Sequence, residues 1–113
     1  MLKLKLPNTD KAIIPEAKIR DYLLSTVHPI GRFKFIIFRN LGYSSDNWIA
    51  LHKDLKEFLK LDATIKERTE YGVKYEIHGI ITGPIGKSTT LVTAWIVRAG
   101  EDFPRFITAY PGG

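Results

Sequence analysis

The chain has no cysteine, one methionine and three histidines. Without thiols there is no disulfide, no thiolate nucleophile and no zinc site of the Cys type. The histidines, His28, His52 and His78, show none of the paired spacing that metal ligation favours, so no metal and no cofactor is expected. No pair of carboxylates stands out for acid–base work. No apolar run approaches the roughly 18 residues of a membrane span. The opening stretch Met1–Pro7 alternates too quickly and is too short for a signal peptide, so a cytoplasmic protein is expected. Repeats, linkers and low-complexity tracts are missing too.

What is present is ordinary for one folded domain spanning residues 1–113, with 44% hydrophobic and 26% charged residues. Seventeen Lys and Arg against twelve Asp and Glu leave a net charge of +5, which favours an anionic partner such as nucleic acid. The cations are spread along the chain rather than run together.

Leu2, Leu4 and Leu6 alternate with Lys3 and Lys5, a period of two that suits a short strand ended by Pro7. Pro15 and Glu16 open a helix over 15–24, with Ile19, Tyr22 and Leu23 at helical spacing. A second helix, 31–41, carries a stripe of Phe33, Ile36, Ile37 and Leu41, and Gly42 ends it. Ser44, Ser45 and Asp46 can cap a third, 45–60, whose apolar face is Trp48, Leu51, Leu55, Phe58 and Leu59. After Asp62 the period becomes two: Tyr71, Val73, Tyr75, Ile77 and Ile81 alternate with Lys74, Glu76, His78 and Thr82. Thr89–Val97 reads as a central strand and Phe106–Tyr110 as the last one. The order predicts an α+β fold, three N-terminal helices packed on one face of a C-terminal antiparallel β-sheet spanning 71–110.

Gly83-Pro84-Ile85-Gly86-Lys87-Ser88-Thr89 imitates a phosphate loop, but Ile81 stands where the first glycine is required. It also opens a β-branched strand rather than a helix, so a hairpin turn explains it. Two stretches are more informative. His28 and Pro29 lead into a helix that carries Arg32, Lys34 and Arg39, an arrangement suited to a phosphate; a turn-capping His28 with solvated cations is the plain alternative. In the last strand simple alternation puts Phe106, Thr108 and Tyr110 on one face and Arg105, Ile107 and Ala109 on the other. Threonine and tyrosine can donate to phosphate oxygens, or can simply be β-formers. Arg98 and Arg105 add charge, with Glu101 and Asp102 offering salt bridges instead.

His28-Pro29-x-Gly31-x-x-Lys34, then Leu41-Gly42-Tyr43 with Asn47, Glu70-Tyr71-Gly72-x-x-Tyr75, Thr93-x-Trp95-Ile96 and Arg105-x-x-Thr108-x-Tyr110-Pro111 together resemble an uncharacterised bacterial domain family. The resemblance runs from about Leu6 to Pro111. It implies a protein found alone or, in divergent form, at the C-terminus of large toxin-like proteins. The order of helices then sheet is distantly similar to toxin ribonucleases such as barnase, the tRNase colicins and the RelE-type interferases, an analogy of fold. By that analogy the chain is a metal-independent ribonuclease-like toxin domain that binds or cleaves RNA. His28, Lys34, Arg105, Thr108 and Tyr110 are then catalytic, and Arg32, Arg39 and Arg98 bind substrate. A neighbouring gene's product is the expected protein partner. The other reading is a non-enzymatic protein-binding module, an antitoxin or adaptor component.

Overall fold

A computed structural model describes residues 3–28 and 31–112. Leu2 and Pro29 lie outside the described residues, as do the side chains of Arg32 and Phe33. Strand β1 (Lys3–Leu4) is followed by α1 (Glu16–Lys18), which runs directly into a π-helical turn, Ile19–Leu23. Next come α2 (Gly31–Asn40) and α3 (Trp48–Glu57), the latter entered and left through 3-10 turns at Ser45–Asn47 and Phe58–Lys60. Four strands close the chain: β2 (Ala63–Thr69), β3 (Gly72–Thr82), β4 (Ser88–Arg98) and β5 (Arg105–Pro111). The sheet is antiparallel throughout, in the order β1-β2-β3-β4-β5. No helix among the described residues is long and apolar enough to cross a membrane.

The fold is α+β, but its division into helices and sheet is less clean than the residue pattern suggests. β1 precedes every helix yet pairs with β2 through Lys3↔Thr64 and Leu4↔Ala63. At the opposite edge Ile13 forms a parallel bridge to Arg105. The N-terminal segment therefore touches both edges of a sheet that was expected to be C-terminal. β2 itself has no alternating apolar signature, because Lys66, Glu67, Arg68 and Thr69 are all exposed. Its pairing with β3 makes it a strand. Tyr71, expected to face inward, is 72% exposed in the turn between them.

One apolar cluster holds the layers together. Ile77, Ile81, Leu91, Trp95 and Phe106 from the sheet meet Ile19, Leu23, Phe38, Leu51, Leu55 and Phe58 from the helical part. Each such buried side chain stabilises the fold by about 1.5–3 kcal/mol. The 3-10 turn after α3 comes close because β3 carries Gly79: a Cβ there would stand 2.9 Å from the Phe58 ring and 2.7 Å from Leu61. The stripe expected on α2 is turned. Ile36 is 58% exposed, whereas Phe38 and Leu41 are buried, since α2 packs against the Ile19–Leu23 turn.

The end of α2 follows its sequence. Gly42, at φ 98°, donates to the Arg39 carbonyl at 2.9 Å, and Tyr43 donates to that of Phe38 at 3.0 Å. This is the Schellman arrangement, in which glycine takes the left-handed position and the flanking apolar residues touch. The rings of Phe38 and Tyr43 meet edge to face, 6.3 Å apart. Tyr43 is thereby swung inward, where its hydroxyl donates to Asp54. The glycine-rich segment 83–87 is a turn, with Gly83 N–H on the Lys87 carbonyl, and strand β4 starts immediately after it.

Candidate functional site

The site begins with a bulge in β5. Its register against β4 shifts between Ala94 and Trp95, so that Phe106 pairs with Trp95, Thr108 with Ala94, and Ile107 is left over. An extra residue in one strand reverses the alternation that follows it. Phe106 consequently points into the core, 5.3 Å from the Trp95 ring, and Ala109 is fully buried. Thr108 and Tyr110 emerge on the other face, opposite Ala94 and Val92. The simple alternation that grouped Phe106 with Thr108 and Tyr110 is thus corrected by one unpaired residue.

Thr108 meets the first helical segment. Leu24 N–H bonds to the Ile19 carbonyl at 2.8 Å, the five-residue step of a π turn. That turn buries Ile19 and Leu23 and leaves Tyr22 partly buried at the margin of the core. Such single π turns occur frequently at functional sites. The Tyr22 hydroxyl lies 3.0 Å from Thr108 Oγ1, and either can donate. The Tyr22 ring meets the His28 ring nearly perpendicular at 5.1 Å, and Lys18 Nζ stands 5.6 Å from the Tyr22 centroid. Ser25 Oγ accepts the backbone N–H groups of Val27 and His28 at 3.1 and 3.0 Å, which shapes the bend that presents the imidazole. His28, Tyr22, Lys18, Ile107 and Thr108 line an open groove of about 650 Å³.

Lys34 and Tyr110 meet beside the next residue of β5, outside the lining of that groove. Lys34 Nζ donates to the Ala109 carbonyl at 3.0 Å and sits 5.6 Å from the Tyr110 ring centroid. An ammonium has three donors, so two remain after that bond. Glu76 pairs with Ala94 from the opposite side to Thr108. Ala94 is too small to intervene, and Tyr110 reaches across it to donate its hydroxyl to Glu76 Oε2. The other Glu76 oxygen lies 3.8 Å from His78 Nε2, and the Glu76 side chain is 17% exposed. Burial first, then the hydrogen bond to Glu76 and its charge, push the Tyr110 phenol up to about 12.

The arginines are placed differently. Arg105 shares the outer face, but its guanidinium holds Glu101 at 2.9 and 2.8 Å and stacks 5.2 Å over Phe103. That fork keeps the Glu101 carboxyl below its usual range and raises Arg105 further, as a clamp of the β4–β5 turn would. Arg98 is exposed at the end of β4 opposite Gly72, and Arg39 is exposed on α2. His52 packs edge to face on Trp48 at 6.2 Å. Among the described residues no three His, Asp or Glu side chains stand together as metal ligands would.

Tyr22 and Glu76 were not legible as site residues. Tyr22 looked like a core position on a helical stripe, and Glu76 like a wet position in an alternating strand. Their partners lie 86 and 34 residues away. No local pattern encodes such contacts.

A family model described as a domain of unknown function (DUF6883) matches residues 5–113. No curated protein matches the chain. Among solved structures it is similar to a chain of the contact-dependent growth inhibition toxin–immunity protein complex from Klebsiella pneumoniae 342. The TM-score is 0.71 at 21% identity, covering 88% of this chain and 99% of that one. At that identity the likeness is one of fold.

Proposed function

This chain belongs to the DUF6883 family, and from that premise we propose that it is a small ribonuclease-like toxin domain that cleaves RNA with its own side chains, without a metal. The observation that carries the reading is the groove in which His28 and Thr108, far apart in sequence, are joined through Tyr22, with Lys34 bonded to the carbonyl of Ala109, the residue after Thr108. Cleavage through the 2′-hydroxyl needs one group to take its proton, one to protonate the leaving 5′-oxygen, and cations for the charge on phosphorus. Imidazole suits the proton work, Lys34 the charge, and the Thr108 hydroxyl the holding of a phosphate oxygen. Arg105 serves the fold of its turn rather than the scissile group, because Glu101 occupies its fork. Arg39, Arg98 and Arg32 supply the diffuse attraction to RNA, which weakens with salt. The target is cytoplasmic RNA.

A test is incubation of the purified protein with total cellular RNA. Fragments ending in 2′,3′-cyclic phosphate and beginning with 5′-hydroxyl are expected. His28→Ala abolishes them with the melting temperature unchanged, since His28 lies outside the apolar core. Intact RNA after incubation with the wild type, or full activity in His28→Ala, defeats the reading.

The second reading, a protein-binding module such as an antitoxin, is favoured by one observation: the similar fold comes from a two-protein toxin–immunity complex. Cloning separates the two readings. A toxin resists expression without its neighbouring gene and is neutralised by that gene's product, whereas a module expresses freely.

A further inference from the structure

The groove that holds His28 and Thr108 also holds two charges that the fold leaves unpaired. Lys18 ends α1 and Asp21 stands three residues on, within the π turn, and both line the groove with Tyr22. On the same segment Arg20 takes Glu16 at 2.7 Å, the usual pairing of neighbouring helical turns. Lys18 and Asp21 make no such pair. The five-residue step of the π turn spreads residues three apart further round the axis than an α-helix does. Among the described residues the Asp21 carboxylate has no hydrogen bond or ion pair, and the Lys18 ammonium has only its place over the Tyr22 ring. Pro15, Ala17 and Ile107 supply apolar lining, the last of them left without a partner on β4 by the bulge. An apolar groove of about 650 Å³ with a few polar groups is of the size and kind that takes a small ligand.

We propose that Asp21 reads a guanine base of the RNA strand in this groove, with Lys18 on the guanine O6. The inference rests on the RNA-cleaving reading above and names its substrate. A free carboxylate repels the phosphates of RNA, so the part of the strand it meets must bring hydrogen-bond donors, and those belong to the bases and the 2′-hydroxyls. Guanine alone carries two donors side by side, N1–H and the N2 amino group, which match the two oxygens of a carboxylate in a bidentate pair. Adenine and cytosine offer one amino group next to a ring-nitrogen acceptor. Uracil offers a single N–H between two carbonyl oxygens that a carboxylate repels. Next to its N1–H guanine has O6, an acceptor for an ammonium. Both unpaired charges of the groove thus find partners on one edge of one base. His28 and Thr108 line the same groove, so a base held at Asp21 keeps its phosphate within the space that they share.

Calorimetric titration with the 3′-monophosphates of guanosine, adenosine, cytidine and uridine tests the site without requiring cleavage. The guanosine monophosphate should bind the wild type at least about tenfold more tightly than the other three, within the range that one bidentate pair to a base discriminates. Asp21→Asn, which offers one acceptor and one donor, should lose that margin with its melting temperature unchanged, because Asp21 is exposed. Asp21→Glu, which keeps a carboxylate, should retain part of it. In parallel, cuts in total cellular RNA should fall next to guanosine for the wild type and scatter over all four bases for Asp21→Asn. Equal binding of the four monophosphates overturns the assignment, as does a guanine margin left intact in Asp21→Asn or cleavage with no base preference. A guanine margin that Asp21→Asn removes, in a protein that leaves all RNA intact, upholds guanine recognition by Asp21 and defeats the RNA-cleaving reading instead.

Discussion

Two tyrosine–carboxylate pairs occupy this molecule, and they differ in what surrounds them. Tyr43 and Asp54 meet where the end of α2 faces α3, with Tyr43 only 1% exposed and its hydroxyl also 3.4 Å from the Thr82 carbonyl. Tyr110 and Glu76 meet on the outer face of the sheet, where both are half-buried. The chemistry is the same; burial decides the use. In the first pair the Tyr43 hydroxyl is shut inside the protein between Asp54 and the Thr82 carbonyl, and burial raises the Tyr43 phenol far above its ordinary range. In the second, Tyr110 is only half-buried. A buried pair joins elements, while a half-open pair can exchange protons with something that binds.

The largest expected contrast is in stability. Tyr43→Ala should cost about 3–5 kcal/mol, the range for emptying a large buried aromatic site. Tyr110→Ala should cost about 1 kcal/mol or less, because its surroundings are half open. Urea denaturation of both variants measures the difference, and equal losses would break the comparison.

The two faces of β4 and β5 sharpen it further. Trp95 Nε1 is fully buried and donates to Thr93 Oγ1 at 2.8 Å. Thr93→Val leaves that donor unsatisfied and should cost about 1–3 kcal/mol. Thr108→Val, on the outer face, should cost less than about 1 kcal/mol while reducing any RNA cleavage.

In alkali the two tyrosines act in the same direction. Each titrates later in the fold than in the unfolded chain, so the neutral phenol is the form the fold holds. Their stabilisation is full below the free-tyrosine range near 10 and drains as pH rises above it, for Tyr110 up to about 12. Melting temperature between pH 9 and 12 should fall less steeply in Tyr110→Phe than in the wild type. An unchanged slope would mean that Glu76 does not hold the phenol.

The smallest effect lies at the acid end. The Glu101 carboxyl is depressed first by its hydrogen bonds to Arg105, then by the charges of Arg105 and Arg98. Its contribution is present above the ordinary glutamate range and is lost as pH falls below it. Glu101→Gln should flatten the acid limb of the stability curve slightly and leave the behaviour above pH 9 untouched. A change at both ends would tie the turn clamp to the tyrosine pairs.

How much of this was readable depended on how local the cause was. The helices at α2 and α3 and the long strands β3 and β4 follow from side-chain periods of 3.6 and 2, which neighbouring residues set among themselves. The Gly42 cap is local in the same way. β2 carries no readable period, because Lys66, Glu67 and Arg68 hide it, and its strand geometry comes from pairing with β3. The stripe of α2 departs from its own period at Ile36 because the helix leans on the Ile19–Leu23 turn, which no pattern within the helix can announce.

The candidate site divides along the same line. Chemistry-bearing residue types, namely His28, Lys34, Thr108 and Tyr110, stand out in the chain because few other positions combine titration, charge and hydroxyls near breaks and strand ends. Their neighbours do not. The bulge at Ile107, which turns Phe106 inward and Thr108 outward, depends on how Trp95 fills the core. Tyr22 and Glu76 acquire roles only through contacts 86 and 34 residues long. By itself the amino-acid order determined the elements and the reactive groups, because backbone geometry and side-chain chemistry act over a few residues. Tertiary structure decided which groups meet and which proton each one holds, because packing and burial act across the whole chain.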